Sequence, residues 1–372
     1  ATRFVLAIKN SHRIAVFGDY DVDGGASSAL LIEYLRSFGV PCTLYIPDRI
    51  DEGYGPNAPA MADLAAKHDL ILCVDCGTLS HDALAAAKAA DVIVLDHHLG
   101  GETLPPALAV VNPNRQDETG DLAHLCAASV VFLLLVEANR QLRPDKANLP
   151  NLLQSLDLVS LATIADVAPL VGVNRAFVRQ GLKIMGQRGR VGLTALADVA
   201  RLDSAPNSYH LGFVLGPRVN AGGRIGKADL GARLMATTDP HEAASIAETL
   251  DQLNAERRAI EAIVQEDAIA QVEARDPSAA LVWAAGEGWH PGVVGIVAAR
   301  LKERFNRPAV VIGFESGAGK GSARSVPGVD LGARIQRLAM TGAIEKGGGH
   351  KLAAGLSLSE IQLEPAMNAL KT

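Results

Sequence analysis

Cysteine is scarce in this chain of 372 residues, where Cys42, Cys73, Cys76 and Cys126 are the whole complement. Four thiols with no cysteine-rich framework around them exclude a disulfide-stapled scaffold. Cys73 and Cys76 have CxxC spacing, but no second such pair exists to complete a structural zinc site. Cys73 also falls inside an apolar run, so a buried, reduced thiol and a cytoplasmic location are expected. Aromatic residues are equally few, at 4%, which argues against a surface built mainly on base-stacking platforms. Basic residues are outnumbered, 35 Lys and Arg against 41 Asp and Glu, giving a formal net charge of −6. A nucleic-acid partner therefore has to be recognised through local basic clusters or metal ions rather than bulk charge. Long apolar runs are missing as well. The longest, around residues 130–136, falls far short of the roughly 20 residues that span a bilayer. Residues 4–8 are too short for a signal-peptide core, so no membrane association is expected. The first residue is Ala1 rather than Met and the last element stops abruptly, so the chain is expected to be part of a longer protein.

What is present is a soluble globular composition, 48% hydrophobic and 20% charged, in a chain too long for one ordinary core. Residues 13–18 read as a strand, and Gly24-Gly25 as a tight turn opening a helix over 26–38. Strands are predicted over 42–46, 70–74 and 92–95. A helix ends near Lys67, and another runs from a Ser80 cap to Ala89. Alternating strands and helices with short connections imply a doubly wound, mostly parallel α/β sheet. Residues 122–141, 152–163 and 175–187 read as helices that cover it. The pattern changes over 239–275, which contains no Gly or Pro after Pro240 and has a charged stripe. It is predicted to be one long, exposed helix linking two domains. Beyond it come strands over 280–283 and 309–312, a helix over 293–305, and Gly-rich loops over 316–321 and 347–349. These form a second, smaller α/β domain. The domains are placed at residues 1–238, 239–276 (the connecting helix) and 277–372, with the active-site cleft between the first and the last.

The chemistry gathers where predicted strands end. Asp19-Tyr20-Asp21-Val22-Asp23-Gly24 sets three carboxylates at alternate positions past the first strand, on one side if the chain is extended. Asp75 ends the third strand, and Asp96-His97-His98 the fourth. Open α/β sheets bind ligands at the carboxyl ends of their strands. Clustered carboxylates repel, and a divalent cation is the usual remedy. A mixed Asp/His set without thiolate suits Mn²⁺ or Mg²⁺ better than structural zinc. The ligands suffice for two ions, the arrangement that clamps attacking and leaving oxygens in phosphoester hydrolysis.

In this order the motifs resemble the DHH phosphoesterase superfamily, named for the triplet at Asp96-His97-His98. Leu161-Ala162-Thr163-Ile164-Ala165-Asp166 resembles its fourth motif. Gly347-Gly348-Gly349-His350, with Ala353-Ala354-Gly355, resembles the DHHA1 substrate-binding domain. Within the superfamily, the segments 216–224, 250–258, 289–296 and 321–325 resemble the single-strand-specific 5′→3′ exonucleases. The resemblance covers almost the whole chain. It implies a metal-dependent exonuclease of DNA repair and recombination that releases mononucleotides from single-stranded DNA with a 5′ end. It further implies a monomer partnered by a single-strand-binding protein or a helicase.

The resemblance also implies residue roles. Asp19, Asp21, Asp75, His97 and Asp166 match the positions that hold two divalent cations, Mn²⁺ or Mg²⁺. His98 contacts the scissile phosphate or orients the nucleophile, while Asp23 and Asp96 hold the turn or a histidine tautomer. Asp157 is the reserve for the fourth-motif carboxylate. Arg49, Ser322 and Arg324 grip a 5′ phosphate, as suits the planar fork of arginine. Arg218, Asn220 and Arg224 bind backbone phosphates near the metals, and His350 contacts a nucleotide phosphate. Trp289 and Tyr54 are read equally as base-stacking or core residues, outside this set. Three departures stand out. Phe17 occupies a position where many members have a His or Asn ligand. Residues 125–129 are poorer in glycine than expected, which is read as a packing matter. The OB-fold domain that usually follows DHHA1 in these exonucleases is not reached by Thr372. The rival enzyme class is a DHH–DHHA1 phosphodiesterase of short oligonucleotides, cyclic dinucleotides or nucleotide bisphosphates. The non-enzyme rival is a scaffold that has lost catalysis.

Overall fold

The computed structural model of the chain describes residues 1–49, 51–145 and 148–371. It comprises two compact units, Ala1–Asn254 and Ala255–Thr372. In the first, α1 (Thr2–Lys9) precedes β1 (Ile14–Gly18), α2 (Val22–Ser37), β2 (Cys42–Tyr45), α3 (Ala58–Lys67), β3 (Leu70–Val74), α4 (His81–Ala85), β4 (Asp91–Leu95) and β5 (Ala109–Val111). The strands form one parallel sheet in the order β2-β1-β3-β4-β5. Successive side chains of a strand point to opposite faces, and here both faces are apolar. Ile14, Val16, Leu70, Leu72 and Val74 join the core beneath α2 and the later helices. Ala15, Phe17, Ile71, Cys73, Val92 and Val94 join the core beneath α3 and α4. Helices on both faces make the sheet doubly wound. Phe17 is fully buried and stacks on Tyr45, ring centroids 5.3 Å apart, so the position that departs from the superfamily is a core position here. Cys73 is a free, fully buried thiol that burial pushes up to about 12, so it is inert.

The rest of the first unit is helical: α5 (Ala127–Leu142), a 3₁₀ turn (Leu152–Ser155), α6 (Leu156–Ala165), α7 (Gly172–Gly186), α8 (Val191–Val199), a π-helical turn (His210–Leu215), α9 (Gly216–Ile225) and α10 (Leu230–Ala236). The long helix α11 runs over Pro240–Arg275. It is less exposed than its charged stripe suggests. Ala243, Ile246, Ala247 and Leu250 pack into the first unit's core, and Val264, Ala268 and Val272 into a core of the second. No helix among the described residues is long and apolar enough to cross a membrane.

The second unit contains β6 (Val282–Glu287), α12 (Pro291–Phe305), β7 (Ala309–Glu315), β8 (Ala318–Arg324), α13 (Leu331–Met340), β9 (Lys346–His350), β10 (Ala353–Ser359) and α14 (Glu360–Lys371). Its sheet runs β6-β7-β8-β10-β9, parallel between β6 and β7 and antiparallel elsewhere.

Several local expectations are corrected. The helix expected at Ala26 begins at Val22, so Gly24 and Gly25 lie inside α2. A Cβ on Gly24 would stand 2.5 Å from the Asp19 carbonyl oxygen, and one on Gly25 2.8 Å from Met235 Cε. These glycines allow close packing rather than a turn. Helix α4 stops at Ala85 and Ser80 makes no capping bond; the chain must return to β4 at Asp91, and that overrides alanine's helix propensity. Strand β5 escaped notice because it is only three residues long. Helix α5 starts at Ala127, five residues late. The Gly-rich stretches 318–324 and 346–350 are strands, not loops. Glycine has poor strand propensity, but Phe314, Ile312 and Ile335 fill the space where Cβ atoms of Gly319, Gly321 and Gly347 would be.

Candidate metal centre

Because β1, β3 and β4 are adjacent and parallel, their C-terminal ends share one edge of the sheet. That edge includes the point between β1 and β3 where the strand order reverses, the usual ligand crevice of such sheets. Asp19 follows β1, Asp75 follows β3, and Asp96-His97-His98 follows β4. Asp166 caps the C-terminus of α6. Ligand atoms of Asp19, Asp21 and Asp75 lie within 4.8 Å of one another. The same holds for Asp75, His97 and His98, and for Asp23, His97 and Asp166. The sequence-predicted metal residues Asp19, Asp21, Asp75, His97 and Asp166 thus meet in one cluster.

Each side chain is held by its neighbours. Asp21 N-caps α2, accepting from the amides of Asp23 and Gly24. Asp23 lies in the helix's first turn, not in an extended row with Asp19 and Asp21. Both its oxygens take backbone amides from the N-terminus of α5, Ala127 at 2.6 Å and Ala128 at 2.8 Å. Residues 125–129 therefore do more than pack, because their amides fix a carboxylate of the cluster. Asp96 is saturated. Its Oδ2 accepts from the Thr78 amide and hydroxyl, and its Oδ1 from the amides of His97 and His98 and pairs with His98 Nδ1 at 2.8 Å. Asn112 donates to Thr78 Oγ1 and the His98 carbonyl, and Asn114 to the His97 carbonyl. His98 Nε2 lies 3.3 Å from the Tyr54 hydroxyl, which also donates to the Asp75 carbonyl.

The electrostatics fit a divalent cation. Asp75 is almost fully buried, holds φ +59°, and its Oδ1 has no hydrogen-bond partner. His97 Nε2 lies 3.3 Å from that oxygen but not in hydrogen-bonding geometry. Burial, then the charges of Asp23, Asp21 and Asp19, raises the Asp75 carboxyl well above its ordinary range. Burial and Asp21 push Asp19 up to about 8, and burial with Asp23 and Asp21 does the same to Asp166. Burial also raises Asp23, against the pull of His97. Among the described residues, the ion pairs of these acids are with His97 and His98 alone. A hard cation supplies the missing positive charge and takes up the orphaned oxygen. Asp96 behaves oppositely. Burial would raise it, but the His98 hydrogen bond and charge outweigh that and hold it below the usual range. Burial would lower His98, yet Asp96 lifts it to about 9.

Asp157 is not in the cluster. It is buried in α6 and takes two bonds from Arg190, at 2.7 and 3.1 Å, while Arg190 also pairs with Glu33. Of the predicted phosphate-binding residues, Arg49 is exposed and its guanidinium lies over the Tyr20 ring, 5.5 Å from the centroid. Tyr20 rests on α9, where a Cβ at Gly223 would stand 2.0 Å from its ring. Asn220 accepts from the Val22 amide at 3.0 Å, so it docks α9 against the start of α2. Arg218 is half-buried and donates to Asp251 and the Val214 carbonyl. Arg224 is half-buried on the same helix. Ser322, Arg324 and His350 belong to the second unit. There Arg324 donates to Ser322 Oγ at 2.9 Å, and a Cβ on Gly295 of α12 would stand 3.1 Å from that oxygen. His350 is exposed at the end of β9, an edge strand. Trp289 is core, whereas Tyr54 is 58% exposed beside His98.

Thr78, Asn112 and Asn114 were not singled out as site residues, and Tyr54 was kept outside the set. The signal was available for the first three. Thr78 follows Asp75 by three residues, and Asn112-Pro113-Asn114 directly follows the apolar run of β5, the same strand-end position as Asp75 and Asp96.

Residues 13–163 match the DHH family, N-terminal domain, and residues 277–372 the DHHA1 domain. The single-stranded-DNA-specific exonuclease RecJ of Dickeya dadantii is 41% identical over 373 residues, covering 95% of this chain and 65% of that protein. The chain thus spans just under two thirds of that relative's length. A crystal structure of exonuclease RecJ bound to manganese is 34% identical, with a TM-score of 0.86, covering 99% of this chain and 92% of that one. The structure of RecJ in complex with Mn²⁺ from Thermus thermophilus is 32% identical, with a TM-score of 0.85, covering 100% of this chain and 53% of that one.

Proposed function

The chain belongs to the RecJ family of DHH–DHHA1 proteins, and from that premise we propose that it degrades single-stranded DNA from the 5′ end to mononucleotides. The observation that supports this most is the cluster itself: five acids and two histidines, with one buried carboxylate oxygen left unpartnered. Two divalent cations, Mn²⁺ or Mg²⁺, would be held by Asp19, Asp21, Asp75, His97 and Asp166. When bound, such ions supply charge neutralisation at the phosphate and activation of the attacking water. Asp23 stays behind these ligands, anchored by α5. Asp96 fixes the tautomer and orientation of His98, whose Nε2, beside the Tyr54 hydroxyl, would hold a proton toward the scissile phosphate.

Substrate recognition rests on the basic side chains. We assign end recognition to Arg49, Ser322 and Arg324, and backbone contacts to Arg218, Asn220, Arg224 and His350. Chemistry would reside in residues 1–238 and end recognition largely in 277–372, joined through 239–276. The protein would act as a cytoplasmic monomer on strands delivered by a helicase or a single-strand-binding protein. The deciding experiment incubates strands labelled at either end, with and without a 5′ phosphate, in Mn²⁺ or Mg²⁺. Mononucleotides released from the 5′ end, faster with a 5′ phosphate, are expected. Activity confined to di- and trinucleotides would transfer the reading to the short-substrate phosphodiesterases.

A further inference from the structure

The chain has two Trp, five Tyr and eight Phe, and among the described residues three of these rings are exposed: Tyr54, Tyr209 and Phe213. Tyr54 is already accounted for beside His98. Tyr209 and Phe213 are 63% and 73% exposed, and their rings stack on each other with centroids 5.2 Å apart and planes 26° apart. In so aromatic-poor a chain, two large rings stacked on each other in water form a local apolar patch.

Their mounting points to which ligand. Phe213 lies in the π-helical turn His210–Leu215, and Tyr209 immediately precedes it. π-Helical turns are uncommon and concentrate at functional sites. The glycine side of this segment lies on the last turn of α6. A Cβ at Gly212 would be 3.3 Å from Ile164 Cγ2, and one at Gly216 3.3 Å from Ala165 Cβ. The next residue of α6 is Asp166, of the metal cluster. Val167, whose amide donates to the Ile164 carbonyl, is 86% exposed and holds φ +57°. A β-branched residue is strained in that conformation, and such strain persists where function requires it. The same helical segment continues into α9, which carries Arg218, Asn220 and Arg224. The segment that bears the ring pair therefore packs on the end of α6 that leads to Asp166 and runs directly into the basic helix α9.

We infer that Tyr209 and Phe213 form a stacking platform for an unpaired base of the substrate strand, a few nucleotides from the scissile bond. The inference rests on the single-strand exonuclease reading and deepens it. A paired base has its faces covered by neighbouring pairs, so a stacking platform there selects single strands. Base–aromatic stacking is tolerant of sequence, as an exonuclease requires.

The test uses the full chain, a Tyr209→Ala/Phe213→Ala double variant, and the conservative variants Tyr209→Phe and Phe213→Trp. Each is given 5′-phosphorylated strands of two to twenty nucleotides with Mn²⁺. On long strands the double variant is expected to raise KM by about 5- to 150-fold, the equivalent of ~1–3 kcal/mol of stacking, and the effect should shrink toward the dinucleotide. The conservative variants should keep the wild-type KM. Independently of turnover, 2-aminopurine placed at successive positions should be quenched on binding at one internal position, and the double variant should lose that quench. An unchanged quench with unchanged KM at every length would overturn the platform and leave the rings as a surface for a protein. If the wild type cleaves no strand at all, the exonuclease reading fails, and the quench alone still decides whether a base stacks there.

Discussion

Asp75 and Asp96 end neighbouring strands at the same edge of the sheet, yet replacing each with asparagine should move stability in opposite directions. Asp75 is buried with one oxygen unpartnered and faces Asp19, Asp21 and Asp23. An unsatisfied buried acceptor costs about 1–3 kcal/mol. An ionised neighbour within 4.8 Å adds at least ~3 kcal/mol at an effective dielectric near 20, though proton uptake relieves part of this. Asparagine keeps the shape, removes the charge and tolerates the left-handed backbone of Asp75. Without metal at pH 8, Asp75→Asn should therefore stabilise the protein by roughly 2–4 kcal/mol, or about 4–15 °C in Tm. Asp96 accepts from donors at both oxygens. An amide group there would set donor against donor, so Asp96→Asn should lose about 2–4 kcal/mol. The assay is thermal unfolding in EDTA and again in Mn²⁺. At one hundred times its Kd, the ion should add ~2.7 kcal/mol to the wild type and little to Asp75→Asn. If both variants move Tm in the same direction without metal, or Mn²⁺ stabilises Asp75→Asn as fully as the wild type, the assignment is wrong.

Three further outcomes are expected. Asp19 and Asp166 have folded-state carboxyls raised to about 8, so the folded protein binds protons more tightly than the unfolded chain. Metal-free stability should then fall as pH rises from about 4 to about 8, and saturating Mn²⁺ should flatten that decline in a Tm–pH series. Asp157→Asn should cost about 3 kcal/mol by stranding part of the buried charge of Arg190 while leaving Mn²⁺ titration intact, whereas Asp166→Asn should weaken Mn²⁺ binding without that loss; calorimetry and unfolding curves separate them. Gly223→Ala should push the Tyr20 ring off α9, costing about 1–3 kcal/mol and reducing the rate advantage of a 5′ phosphate in a competition assay.

The acid–histidine cluster was legible because most of it is built at strand ends. A parallel strand buried on both faces must be apolar throughout, as Val92-Ile93-Val94-Leu95 is, so the polar residues that follow stand out. Asp166 at a helix end needed the resemblance to separate it from Asp157, since both are acids on the same helical stretch. What stayed hidden was decided by tertiary contact. The start of α2 at Val22 combines the Asp21 cap with a hydrogen bond from the Val22 amide to the distant Asn220 side chain. The strand character of 318–324 and 346–350 depends on side chains from elsewhere that fill glycine-shaped space. Thr78, Asn112 and Asn114 stand near strand ends in the sequence, but their partners, Asp96 or its neighbours' backbone, are set by the fold.

The anchoring of Asp23 by α5, and of α2 by Asn220, spans sequence separations of 104 and 198 residues. A chain made from its N-terminus has Asp19, Asp21 and Asp23 long before Ala127, Asp166 or Asn220 exists. Contacts of such separation form late, once the entropy of closing long loops is met. The carboxylates of a nascent chain are thus not yet a metal site. A site built this way would remain unassembled during synthesis until most of the first unit had been made.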